Sequence, residues 1–119
     1  MIMIPREGQW DEGSTTRFDP GELVCHRRYG YRGVVVASDL SCAAPEDWYR
    51  TNQTQPRRDQ PWYHVLVDRA LHTTYAAEEN LMPDDSGEEI THQLLARFFD
   101  SFQNGHYVRN NRQWESPSA

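Results

Sequence analysis

A chain of 119 residues holds one domain with one core, because proteins of this size bury only about two thirds of their unfolded surface. Its 18 acidic residues against 12 basic ones leave a formal net charge of -6, which repels a polyanion unless the positive charge is locally gathered. All the basic residues are Arg, and Cys25 and Cys42 form no C-x-x-C pair, so neither a metal knuckle nor a thioredoxin-type redox site is spelled out.

Residues 1 to 17 are polar and aperiodic and read as a flexible N-terminal arm. The opening Met1 to Ile4 is too short for a signal core, and no stretch approaches the ~20 apolar residues of a membrane span, so no membrane role is expected and the cytoplasm is the expected compartment. From Glu22 to Arg28 the chain reads as a strand, and Tyr29-Gly30-Tyr31 turns it into the β-branched run Gly33 to Ala37. The product is a hairpin with a charged, aromatic tip.

Pro45 followed by Glu46, Asp47 and Trp48 predicts a short helix in the long loop, since proline and acids suit a first helical turn. After Pro61, Trp62 to Val67 is the best strand in the sequence, and Asp68 to Leu71 turns it into Thr73 to Ala77. Thr91 then caps an expected amphipathic helix whose stripe is Leu94, Leu95, Phe98, Phe99 and Phe102, stopped by Asn104-Gly105. The fold class that results is mainly β: a small antiparallel β-barrel over residues 18–108, with a short helix in the long loop, a C-terminal amphipathic helix and a frayed tail over 109–119.

The residues offer little for catalysis. The five histidines (26, 64, 72, 92 and 106) show no i+2, i+3 or i+4 pairing that would gather metal ligands locally. His64 lies near Glu78 and Glu79 in the chain, but strand alternation puts His64 and Tyr63 on opposite faces. No phosphate-cradling glycine loop and no nucleophile elbow is present. No catalytic residue, metal or cofactor is therefore expected, and the chain reads as a binding module.

One local feature suits a polyanion. Arg27, Arg28 and Arg32 share the hairpin tip with the stacking rings of Tyr29 and Tyr31, and Arg57-Arg58 lie in the long loop. The bland alternative is that the two tyrosines close the end of the sheet while the Arg stems cover them. Trp48 joins these residues as a candidate aromatic contact for a partner.

Three blocks carry a resemblance: Gly21-Glu22-Leu23-Val24-x-His26-Arg27-Arg28-Tyr29-Gly30-Tyr31-Arg32-Gly33-Val34-Val35, then Gln60 to Val67, then Thr74-Tyr75-x-Ala77-Glu78-Glu79-Asn80-Leu81. In that order, between about Phe18 and Pro83, they resemble the YccV/HspQ family. The segment Arg97 to Phe102 with His106 to Val108 is similar to the end of this domain in larger eukaryotic relatives. The resemblance implies an SH3-like barrel and two kinds of role, binding of hemimethylated DNA or service as a specificity partner of a Lon-type protease.

Charge weighs these two. Residues 26–58 hold six Arg against three acids, whereas residues 78–100 hold seven acids against Arg97 alone, so a duplex meets favourable charge only on the hairpin side. The expected function is a protein-binding adaptor or regulator linked to proteolysis and stress, whose partner is a Lon-type protease or its substrates, with recognition of hemimethylated duplex as the alternative. Free sheet edges also permit a homo-oligomer.

Overall fold

The computed structural model describes residues 16–52 and 55–114. Five strands form one antiparallel sheet: β1 (Leu23–His26), β2 (Arg32–Asp39), β3 (Trp62–Val67), β4 (Thr73–Ala77) and β5 (Leu81–Pro83), in spatial order β4-β3-β2-β1-β5. A six-residue helix, α1 (Glu46–Thr51), stands in the loop between β2 and β3, and a single 3-10 turn, Glu78–Asn80, links β4 to β5. Among the described residues β4 and β5 are both edges, so the ladder is open where a closed barrel was expected.

Alternation along the strands gives the sheet two buried faces. Leu23, Val34, Val36 and Leu66 pack on one side against Ile90, Phe98, Phe99 and Tyr107 from the C-terminal region. Phe18, Val24, Val35, Tyr63, Val65, Ala76 and Leu81 fill the other. A register shift between Val35 and Ala37 marks a bulge at Val36, beyond which β2 continues opposite Trp62 and His64. Each large apolar side chain so covered contributes about 1.5–3 kcal/mol, which explains how a lean composition supports the fold.

The expected C-terminal amphipathic helix is replaced by one helical turn and a hairpin. α2 spans only Leu95–Phe98, and the chain goes straight into β6 (Phe99–Gln103), paired antiparallel with β7 (His106–Arg109). Asn104 (φ 55°) and Gly105 (φ 83°) occupy the two central positions of a tight turn, and both need positive φ, which makes Asn-Gly a hairpin signal rather than a helix stop. A bulge between Phe99 and Ser101 absorbs one residue, so Phe99 and Phe102 both meet Tyr107, with centroids 5.5 and 4.6 Å away. A bulged strand thus mimics helical spacing.

Gly21 joins this hairpin to the sheet. Its N–H donates to the Val35 carbonyl and its carbonyl accepts from the Tyr107 N–H, each at 2.8 Å. Its φ of 101° suits glycine, and a Cβ there would overlap the Tyr107 carbonyl oxygen. Of the expected arm only Thr16 and Arg17 are described; of the expected tail, Arg109 closes β7 and Trp114 stacks on His64 and Phe98 at 5.2 and 5.3 Å. Residues 1–15 of the arm and 115–119 of the tail lie outside the described part.

Candidate functional site: an aromatic cleft along an open sheet edge

The β1–β2 turn is organised by His26. Its Nδ1 accepts from the backbone N–H groups of Arg28 and Tyr29, both at 3.1 Å, and its carbonyl accepts from Gly30, which sits at φ 75°. The imidazole stacks on Tyr29 with centroids 4.6 Å apart and lies 5.0 Å from Tyr31. Burial, helped by the nearby Arg28 charge, lowers the His26 pKa and keeps Nδ1 available as an acceptor. Tyr29 remains half exposed, whereas Tyr31 leans over the sheet and shares a 2.9 Å hydrogen bond with Thr74 Oγ1.

The five candidate arginines do not act as one patch. Arg32 turns back into the protein: its Nε donates to Asp84 at 2.8 Å, and its other nitrogens reach Glu88 O at 2.7 Å, Ser86 Oγ at 3.0 Å and Asp68 at 3.3 Å. Arg58 donates to the carbonyls of Ala44 and Cys42, lies 4.9 Å over the Tyr49 ring and pairs with Glu46 at 3.6 Å. Arg57 pairs with Asp59 at the exposed loop surface. Arg27 and Arg28 stay at the tip, with the Arg28 guanidinium 5.9 Å from the Tyr29 ring. The sequence supplies the charges of Arg32 and Arg58 but hides their partners, which are far away in the chain or are carbonyls.

Trp48 belongs to a larger assembly of rings. It meets Trp62 edge-on at 6.1 Å and Tyr75 at 5.7 Å, while Trp62 and Tyr75 lie 5.3 Å apart and His64 lies 4.5 Å from Tyr75. Trp62 is wholly buried at the base and Trp48 is 37% exposed at the rim. Asp39, at the end of β2, fixes the group: its Oδ2 accepts from the Tyr75 hydroxyl at 2.6 Å and stands 3.4 Å from His64 Nε2. The Ala43 N–H donates to the same tyrosine oxygen at 3.0 Å. His64 therefore faces Asp39 rather than the acids after β4, and burial lowers its pKa although the Asp39 carboxylate acts the other way.

These residues line a cleft of about 640 Å³ that runs from His26 and Tyr31 along the whole of β4 to Trp48. The Glu78 N–H donates to Pro61 O at 2.9 Å, which sets the parity of the β3–β4 ladder. By that parity Thr74 and Ala76 bond to β3, and Thr73, Tyr75 and Ala77 turn their main-chain groups outward, where no described strand pairs with them. Sequence reasoning identified Trp48 and Tyr31 but missed Asp39, His64 and Tyr75, whose proximity follows from strand register and leaves no local pattern. Among the described residues no three His, Cys, Asp or Glu side chains gather where they would hold a metal ion, and no helix is long and apolar enough to cross a membrane.

These elements make a mainly antiparallel β domain with an aromatic cleft beside β4, an edge that no described strand pairs with. The chain belongs to the YccV-like family: the family model described as hemimethylated DNA-binding protein YccV like matches residues 16–106. It is 34% identical over 93 residues to F-box only protein 21 of Homo sapiens, Pongo abelii and Mus musculus. That alignment covers 76% of this chain and 15% of each relative, so the chain spans a small part of those proteins.

Proposed function

We propose that this domain is a non-enzymatic, protein-binding adaptor that receives an extended segment of its partner along β4. The observation that carries the reading is the outward-turned main chain of Thr73, Tyr75 and Ala77 beside a cleft whose rim is Trp48. Addition of a strand supplies main-chain hydrogen bonds, and pockets beside it select side chains. On this reading the domain is an SH3-like sheet kept open at one edge, and the opening is what the partner fills. A cytoplasmic role in stress and proteolysis, with a Lon-type protease or its substrate as partner, is in keeping with the family.

The test is capture of purified Lon-type protease and of an unfolded substrate by the immobilised chain and by its Trp48→Ala variant. Enrichment by the parent chain that Trp48→Ala loses while staying folded supports the adaptor. Capture no better than with an unrelated β domain overturns it.

The hemimethylated DNA-binding description of the family favours a second reading, binding of hemimethylated duplex at the hairpin tip. The tip offers Arg27 and Arg28, since Arg32 and Arg58 are engaged within the protein. Two phosphate contacts make a weak salt dependence, with a slope near -2 in log-log terms. Hemimethylated duplex should be retarded at low salt more than unmethylated duplex, and Arg27→Ala with Arg28→Ala should abolish the difference. Equal behaviour of all methylation states removes this reading.

A further inference from the structure

We propose that Trp48, Tyr75 and Asp39 form a binding site for a methylated ammonium group, presented as a methylated lysine side chain by the partner segment. The identity of the carrier rests on the adaptor reading above, while the site itself stands on its own geometry.

Asp39 is the one carboxylate in a lining that holds no Arg, and burial holds the lining histidines, His26 and His64, toward their neutral forms. Arg58, in the loop that carries α1, is turned onto the Ala44 and Cys42 carbonyls and paired with Glu46. The cleft therefore selects against anions and for a cation. Asp39 Oδ2 accepts from the Tyr75 hydroxyl and meets His64 Nε2, which sets the carboxylate beside the rings. Asp39 comes from the end of β2, Trp48 from α1 and Tyr75 from β4, so three separate elements converge on one spot.

The choice of methylated over bare ammonium follows from what the cleft lacks. A bare ammonium is strongly hydrated and needs several acceptors close around it to replace its water, whereas beside the Trp48 and Tyr75 rings the lining supplies one carboxylate, Asp39, and the remaining neighbours are largely ring and methyl surface. Methyl groups spread the charge and give it an apolar jacket, which matches ring faces and the small apolar rim of Ala43, Ala44 and Pro45. Trp48 fits this use: it belongs to a helix with no buried residue, yet its indole is held against Trp62 and Tyr75 with part of the ring in solvent.

The test titrates the full chain with an alternating Val/Thr octapeptide carrying one central trimethyllysine, lysine or norleucine, and separately with tetramethylammonium chloride, reading tryptophan fluorescence and amide exchange. The trimethyllysine peptide should bind about tenfold tighter than the norleucine one, and Asp39→Asn, which keeps an acceptor for Tyr75, should erase most of that difference. Equal affinity of all three peptides with protection of the Thr73 and Tyr75 amides would overturn the cation site and leave the adaptor reading intact. Tetramethylammonium quenching that Asp39→Asn removes, with no peptide protecting the β4 amides, would support the site and sink the adaptor reading. No response to any probe overturns the proposal.

Discussion

Tyr63 and Glu78 hold the start of the described chain against the sheet: the Tyr63 hydroxyl donates to Glu78 Oε2 at 2.6 Å and accepts from the backbone N–H groups of Arg17 and Phe18 at 2.9 and 3.2 Å. Phe18 meets the same ring edge-on at 5.4 Å and is almost fully buried. Burial and the Glu78 carboxylate push the Tyr63 pKa far up, so the hydroxyl stays protonated and keeps donating. Tyr63→Phe preserves the ring and removes one oxygen that serves three groups. Stability should fall by about 1–3 kcal/mol, read as a lower urea midpoint at unchanged m-value. An unchanged midpoint would show that water replaces the hydroxyl at no cost.

Arg32 is predicted to be a structural residue despite its place beside the basic tip. It ties the start of β2 to Asp68 in the β3–β4 turn and to Asp84, Ser86 and Glu88 in the loop after β5. Arg32→Ala should cost about 1–2 kcal/mol and leave the salt dependence of any duplex binding as it was. Replacement of Arg27 and Arg28 should do the opposite, with stability retained and polyanion affinity lost. Denaturation and mobility shift on the same preparations separate the two.

Gly21→Ala should be among the most damaging small substitutions in the domain. The new Cβ meets the Tyr107 carbonyl, and the left-handed backbone at φ 101° adds strain of about 1–3 kcal/mol. Its signature is local: the Tyr107 amide, which donates to Gly21, should exchange much faster than amides of β2 and β3.

Mild acid should loosen the hairpin tip and the cleft together. His26 and His64 are both held below their ordinary value of 6.5 in the folded chain, so the unfolded chain takes up protons first as the pH falls. Their stabilising contribution is complete above 6.5 and is lost as the pH drops through the folded values. Tm measured from pH 7.5 down to 5 should decline, and the joint His26→Gln and His64→Gln variant should decline less steeply. Glu46 and Asp84 are held below 4.5 and 3.8 and act only in stronger acid.

Much of the sheet was legible because its signals are local. Val34 to Val36 and Trp62 to Val67 are β-branched or aromatic runs bounded by turn residues, and each hairpin closes within a few positions. The C-terminal hairpin was not, because Leu94, Leu95, Phe98, Phe99 and Phe102 fit a helical face as well as a turn followed by a bulged strand, and only the pairing of His106–Arg109 decides between them. The site divides in the same way. Trp48 and Tyr31 stand out as large aromatics in polar stretches, whereas Asp39 and His64 acquire meaning only from a register that sets both beside Tyr75. Charge counting overstated the basic patch because the acids that engage Arg32 lie 36 and 52 positions away.

The unpaired margin at Thr73–Ala77 carries no proline and no charged residue to discourage a neighbour. A second copy set antiparallel against it would satisfy both chains' outward amides and shut both clefts in one step. Access for any client would then be governed by how crowded the protein is with itself, and dilution alone would act as an activator.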